Sequence, residues 1–317
     1  MNQYKPLVPA TRLHVLAQQH PIALFLIVAL GFVYLFMPLP IMAHYGVIPG
    51  ASLPARFGMD MEEFASVLII VPGLVLATTL VTALEGGRPA LQALFRRILN
   101  WRVGVAWALI TVAALPAATI ALATLMGDKL QAPSIGSVLE EIVQTAVAFF
   151  AINLWEEMGW AGFFQSRLER RYNFFIAAAL TAIPFAIIHL PLRVITGTTS
   201  PGGLVQQFVL LMILGLIFRP LIGMALRGSG DRVMAAALMH TFFNRSNNTN
   251  GIAADLLIGD SRPLAALAAT VLLTIVLGLA IRRQLSRAYR LELDAVSSEA
   301  RVSGETLSTS ISQGRTV

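Results

Sequence analysis

Ionisable and amide side chains occur inside three of the most apolar stretches of this sequence. Glu156 and Glu157 lie in AFFAINLWEEMGWAGFF, His189 lies in TAIPFAIIHL, and His240 and Asn244 lie in MAAALMHTFFN. A charge at the centre of a bilayer costs about 2.5–3.5 kcal/mol even on the lenient insertion scale, so such residues usually face a bundle interior or a water-filled site. A buried carboxylate pair with two imidazoles is a set of groups that can activate water for hydrolysis.

The spacing of these residues indicates which of them can act together. His240 and Asn244 are four residues apart and therefore project from one helix face, whereas Glu156 and Glu157 diverge by about 100°. We expect one glutamate to meet the reacting water and the other to turn aside and orient a partner. Taken singly, each group also has an ordinary interpretation: a histidine in an apolar span often only packs helices together, and Asn244 could cap a short helix.

The elements that must position these residues are membrane helices. The composition is 56% hydrophobic and 13% charged, and the mean hydropathy is +0.72, far from the values of soluble proteins. Weakly charged runs of spanning length predict an all-α, polytopic bundle of about eight transmembrane helices. They lie at residues 22–42, 64–84, 103–126, 142–164, 174–194, 204–225, 232–250 and 263–281.

The distribution of basic residues sets the expected topology. With both termini in the cytoplasm, all but five of the 23 Lys and Arg residues fall on the cytoplasmic side, as the positive-inside rule requires. The net charge of +6 is thus explained by topology, and no nucleic-acid partner is expected. Arg219, near the cytoplasmic end of the sixth span, is interpreted as a snorkelling residue.

The domain organisation follows from the same pattern. We expect one integral-membrane domain over residues 1–290 and a disordered, polar cytoplasmic tail over 291–317. The segment GGRPALQALFRRILNWR, residues 86–102, is either an amphipathic helix on the anionic leaflet or an ordinary basic loop. The sequence has no cysteine, which excludes disulfides, thiolate catalysis and cysteine-based metal sites.

Three motifs in order carry a family resemblance. EEMGWA begins at Glu156, FAIIH ends at His189, and HTFFN joins His240 to Asn244. In their order and intervals they resemble the EExxxR, FxxxH and HxxxN motifs of the CAAX prenyl protease and bacteriocin-processing family of intramembrane proteases, also called the Abi family. The resemblance extends over about residues 85–250. It departs from the family at Ala161, where the motif has arginine.

The resemblance implies an intramembrane endopeptidase that hydrolyses a peptide bond of a membrane-associated polypeptide. It favours Glu156 as general base, with Glu157 and His189 beside it and with His240 and Asn244 as donors to the oxyanion. Cofactor use stays open, since the family has been described both as metalloproteases and as metal-independent glutamate proteases. If a divalent metal such as zinc takes part, its candidate ligands are Glu156, His189 and His240.

Other functions are also compatible with the sequence. A catalytically altered family member could act as a membrane scaffold or a bacteriocin-immunity protein, and the loss of the motif arginine at Ala161 favours that alternative. A transporter is less favoured, because the first three predicted spans contain no Asp, Glu, Lys, Arg or His, whereas transporters commonly repeat their polar interruptions in both halves. The expected location is a bacterial cell membrane, and the oligomeric state is left open.

Overall fold

The structure, a computed structural model, describes residues 12–249 and 251–285. This part of the chain is almost entirely helical, with a 3₁₀ turn at Pro54–Phe57. A two-stranded antiparallel ladder pairs β1 (Lys129–Leu130) with β2 (Leu257–Ile258). The helices are α1 (Arg12–Gln19), α2 (Pro21–His44), α3 (Met61–Ile98), α4 (Val105–Leu125), α5 (Ile135–Leu168), α6 (Phe174–Ile195), α7 (Pro201–Gly228), α8 (Val233–Asn247), α9 (Ile252–Leu256) and α10 (Arg262–Leu285).

Seven of the described helices are long and apolar enough to cross a membrane: α2 to α7 and α10. The predicted polytopic all-α bundle is therefore confirmed. The segment predicted at 232–250 is the shorter helix α8, of 15 residues, which spans about 22 Å against the roughly 30 Å of a hydrocarbon core. The predicted count of eight spans is reached when α8 is added to these seven helices. The predicted tail at 291–317 lies outside the described residues.

Helix α3 bends within the segment 86–102. Gly86 and Gly87 leave helical geometry, and Gly87 has φ 61° and ψ −152°, a region that suits glycine because it has no Cβ. Beyond the bend the chain is helical again as far as Ile98. Of the two conformations considered for this segment, the helix is the one that forms. Arg97 on it donates to the carbonyl of Gly162 at 2.5 Å, which ties the segment to α5.

Two wide turns interrupt α5 on either side of the glutamate pair. The stretches Ala148–Asn153 and Met158–Gln165 are π-helical and flank one α-helical turn, Leu154–Glu157. Such π-bulges are rare and occur frequently at functional sites, because the extra residue turns the following side chains onto a different face.

Close packing holds α5, α6 and α7 together in the interior. Trp160 is fully buried and meets the rings of Phe25, Phe164 and Phe185 edge-on, with centroids 5.9–6.0 Å apart. A Cβ on Gly223 of α7 would lie 2.2 Å from Nε2 of Gln165. Helices in a bilayer associate mainly through such van der Waals packing at small residues. Glycine at 223 therefore brings α7 against α5 at the level of Gln165.

Candidate active site

Glu156 lies at the centre of the polar cluster and faces two imidazoles. It is 3% exposed, with Oε1 3.7 Å from Nε2 of His189 and Oε2 3.8 Å from Nδ1 of His240. Both separations exceed the length of a direct hydrogen bond, which is about 2.7–3.2 Å for these atom types. The carboxylate is thus held near both rings without a short contact to either.

His189 has a ring orientation that its own helix determines. Its Nδ1 lies 2.7 Å from the carbonyl oxygen of Phe185, one turn earlier on α6. Because a carbonyl only accepts, Nδ1 carries the hydrogen, and Nε2 of the neutral ring presents a lone pair towards Glu156. The Phe185 ring packs against the imidazole with centroids 4.3 Å apart. The predicted FxxxH pair therefore shares a helix face and fixes the tautomer.

Glu157 shares His240 with Glu156 but has a partner of its own in Arg219. Nη1 of Arg219 donates to both of its carboxylate oxygens, at 2.8 and 3.1 Å, and Nδ1 of His240 lies 2.8 Å from Oε1. The side chains of Glu157 and Arg219 are both 0% exposed. This is a fully buried, hydrogen-bonded ion pair, in which each charge compensates the other.

Amide and hydroxyl groups extend the cluster along α8. Asn153 donates from Nδ2 to Oγ1 of Thr241 at 2.9 Å, and Asn244 donates from Nδ2 to Oδ1 of Asn153 at 3.3 Å. Asn153 and Thr241 are fully buried. The structure therefore brings Glu156, Glu157 and the two histidines together directly, while Asn244 bonds to Asn153, which precedes Glu156 by three residues on α5.

Arg219, Asn153 and Gln165 belong to this site although sequence reasoning did not place them there. Arg219 was interpreted as a snorkelling residue, and that interpretation is wrong, since its guanidinium is buried against Glu157 and lies 3.3 Å from Oε1 of Gln165. The position of Arg219 along its helix could have indicated this, because it lies nine residues before the helix end at Gly228. That distance is about 13 Å along the axis, too far for its side chain to reach the interface.

The three candidate metal ligands differ in which of their donor atoms are free. His189 offers a free Nε2, but Nδ1 of His240 is already bonded to Glu157. Among residues 12–249 and 251–285, no three His, Asp or Glu side chains are grouped so that they could hold a metal ion. The three candidates Glu156, His189 and His240 therefore do not form a ready-made zinc ligand set, which needs three protein ligands around one point.

The fold and the site define a polytopic membrane protein with a buried pair of carboxylates facing two imidazoles. Residues 138–246 match the model of the family described as type II CAAX prenyl endopeptidase, Rce1-like. The match covers about a third of the chain and runs from α5 into α8, the helices that carry the site. The resemblance read from the three motifs is confirmed, and this segment is similar to a family of type II CAAX prenyl endopeptidases. No curated protein matches the chain.

The structure also clarifies the departure at Ala161. Ala161 is fully buried within the π-helical stretch that follows the glutamates. The cation next to Glu157 comes instead from Arg219 on α7. Arg167, six residues beyond Ala161, pairs with Glu85 of α3 and takes no part in the cluster. The second glutamate of the motif therefore has a buried arginine partner, supplied by another helix.

Proposed function

We propose that the chain is an intramembrane endopeptidase that hydrolyses a peptide bond of a membrane-associated polypeptide with a water activated by Glu156 and His189. One observation carries the proposal: an acceptor of Glu156 and the Nε2 lone pair of His189 face each other at 3.7 Å. Two acceptors at that separation suit a water molecule that donates one hydrogen to each. The family match at residues 138–246 supports the same reaction class.

Glu156 is the general base in this proposal because both oxygens of Glu157 already accept hydrogen bonds, three in all, from Arg219 and His240. The water oxygen attacks the scissile carbonyl carbon while its proton passes to Glu156. When the tetrahedral intermediate collapses and the C–N bond breaks, the same proton passes to the leaving amine. His189 holds the water through Nε2 and is itself held by the carbonyl of Phe185.

His240 and Asn244 are the donors proposed for the oxyanion. His240 donates Nδ1–H to Glu157, so in the doubly protonated ring Nε2–H is the donor left for the substrate. Asn244 uses one amide hydrogen on Asn153 and has a second one free. Each such donor typically contributes about 3–4 kcal/mol to transition-state stabilisation.

The test is cleavage of quenched-fluorescent membrane peptides by purified protein, with Glu156→Gln and Glu140→Gln as a matched pair. Glu140 is exposed on the same helix, so its replacement controls for loss of a charge on α5. We expect Glu156→Gln to lower kcat by at least about 10²-fold, the contribution of a general base, and Glu140→Gln to leave it unchanged. Equal activity of wild type and Glu156→Gln would refute the proposal.

A chelator separates the two mechanisms considered for this family. The donor geometry supports water activation by the glutamate and histidine, and we expect cleavage to persist in EDTA and in 1,10-phenanthroline. Loss of cleavage that returns on adding zinc would assign the metal-dependent mechanism instead. If wild-type protein is folded and cleaves no peptide, the scaffold or immunity function becomes the better account.

A further inference from the structure

The second part of α3 carries positive charge without negative charge. Residues 86–102, from the bend in α3 to the loop before α4, contain four arginines and neither Asp nor Glu. Arg97 is bonded inside the protein, to Asp231 and to the carbonyl of Gly162. The other three are exposed, and within residues 12–249 and 251–285 they form no ion pair and no side-chain hydrogen bond: Arg88, Arg96 and Arg102. The described part of the chain therefore leaves three positive charges uncompensated.

The carboxylate nearest to these arginines along the chain does not neutralise them. Glu85 precedes Arg88 by three residues, but it is paired with Arg167 of α5. An exposed arginine beside a carboxylate gains little from the pair in water. An arginine that has no such partner keeps its full charge for a ligand, and its planar guanidinium matches the oxygens of a phosphate group.

The three unpaired arginines line one groove on the surface. The groove has a volume of about 670 Å³ and is formed by residues between 88 and 102, a size within the range of small-molecule sites. Leu91, Phe95, Leu99 and Trp101 line it together with the arginines. Leu99 is 59% exposed and Trp101 is 81% exposed. Positive charge and apolar surface therefore lie side by side in the same groove.

The apolar residues of the groove do not belong to the interior of the bundle. Leu94 and Ile98 of the same helix are buried and form part of the main core. Phe95 and Leu99 each follow one of them by a single residue, so they project about 100° away from that core. Exposed apolar surface of this kind usually marks an interaction site. The segment is thus bound to the protein by one face and presents a second, partly apolar face.

We infer that this groove binds an anionic phospholipid, whose phosphate is held by the three unpaired arginines and whose acyl chains begin against Leu99 and Trp101. The charge of the headgroup complements the arginines, and the chains complement the apolar residues. Arginine, tryptophan and leucine on one interfacial helix are typical of contact with an anionic membrane surface. The site involves no residue of the proposed active site, so it does not depend on hydrolysis.

The position of the groove favours a lipid over an acidic protein segment. The bend at Gly86 and Gly87 comes directly after the apolar part of α3, so the groove begins where the chain leaves the hydrocarbon layer. Tryptophan is enriched at that level of a bilayer. Arg88 and Arg96 are about 12 Å apart along the helix axis, so the positive charge extends over the length of a headgroup.

Quenching of Trp101 by lipids with brominated acyl chains measures this binding. The purified protein is placed in phosphatidylcholine bilayers that contain increasing fractions of brominated phosphatidylglycerol or, in parallel, of brominated phosphatidylcholine. The same titration on Trp101→Phe gives the signal of the three other tryptophans, and the difference is the signal of Trp101. The ratio of the two relative binding constants is the preference for the anionic lipid.

Arginine variants separate a site from general attraction to positive charge. The test variants are Arg88→Gln, Arg96→Gln and Arg102→Gln, singly and combined. The matched control combines three substitutions at exposed arginines elsewhere in the chain: Arg170→Gln, Arg171→Gln and Arg283→Gln. Both triple variants lower the net charge by the same amount, so only the position of the lost charges differs.

We expect the wild type to prefer phosphatidylglycerol at least tenfold. Each single variant should lower that preference about fivefold at most, and the triple variant should abolish it, because an arginine near an anionic surface contributes about that factor. The control triple variant should keep at least half of the wild-type preference. Equal binding of the two lipids by the wild type would overturn the inference and leave the face for an acidic protein partner. A control variant as impaired as the test variant, or quenching that persists in Trp101→Phe, would also overturn it.

Discussion

Replacing Arg219 by methionine should expose how strongly the buried ion pair stabilises the protein. Methionine keeps an unbranched side chain of adaptable shape but removes every donor. The change leaves Glu157 with His240 as its remaining polar partner, and the Glu157 side chain has no contact with solvent. Removal of one partner from a buried pair typically costs about 3–5 kcal/mol, because the other charge is left uncompensated.

The hydrogen-bond geometry of Arg219 places the expected loss of unfolding free energy in the lower part of that range. Both bonds to Glu157 come from a single nitrogen, Nη1, at 2.8 and 3.1 Å, and the bond to Gln165 is long at 3.3 Å. A hydrogen bond to a charged group contributes about 1.5–3 kcal/mol. The two bonds to Glu157 count as one strong bond and one weaker bond from the same nitrogen. We therefore expect Arg219→Met to lower the unfolding free energy by about 3 kcal/mol.

A double-mutant cycle with Glu157→Gln isolates the pair. Glu157→Gln alone leaves the guanidinium without its counter-charge, so we expect a similar loss from it. The double variant has no uncompensated charge and should be destabilised by much less than the sum, which gives a coupling free energy of about 2–3 kcal/mol. Unfolding in mixed micelles with SDS can be followed through the four tryptophans, two of which, Trp155 and Trp160, flank the glutamates.

A coupling free energy below about 0.5 kcal/mol would refute this reasoning, because additive effects mean that the two side chains do not interact. The matched control is Arg170→Met, which removes an arginine from an exposed position two residues after the end of α5. We expect it to change the unfolding free energy by less than about 0.5 kcal/mol, as surface substitutions usually do.

Three further changes test other parts of the site. Gly223→Ala should lower the unfolding free energy by about 1–3 kcal/mol, since its Cβ would meet Gln165 at 2.2 Å; an unchanged value in the SDS titration would contradict that packing. Asn153→Leu should lower kcat and leave KM nearly unchanged in the peptide assay, because Asn153 orients the proposed oxyanion donor; a change in KM alone would count against that role. Adding Ala161→Arg to Arg219→Ala should restore part of the lost activity, since a cation returns to the helix that carries Glu157, four residues beyond it; a double variant as impaired as Arg219→Ala would show that the charge alone is not enough.

The membrane helices and the order of the motif residues could be predicted from the sequence because both depend on local patterns. Apolar runs of spanning length fix where helices form, and four-residue spacing fixes which side chains share a face. The divergence of Glu156 and Glu157 followed from the same helical geometry. In the structure Glu156 faces His189 and Glu157 pairs with Arg219, while His240 lies beside both. These predictions needed no knowledge of how one helix packs on another.

The contacts between helices were beyond such patterns. Arg219 meets Glu157 because α7 approaches α5 closely at Gly223, and helix periodicity gives no information about that approach. The π-helical turns around Glu156 leave no periodic signature over so few residues. Helix α8 was placed correctly, but its length of 15 residues depends on where the bundle can bury it. Asn153, one turn before Glu156, is the member that the sequence could have indicated, since an amide in an apolar span needs a partner.

The position of Arg219 changes how the missing motif arginine should be interpreted. A buried carboxylate without a cation beside it is costly. Glu157 therefore needs a positive charge next to it, but that charge can come from any helix and not only from position 161. Arg219 meets that requirement from α7, and its Nη1 leaves His240 free to bond the same carboxylate. With Glu157 so engaged, Glu156 is the carboxylate left to face His189 without a short contact. The substitution at Ala161 is therefore compatible with the proposed hydrolase, because the positive charge beside Glu157 is present without an arginine at that position.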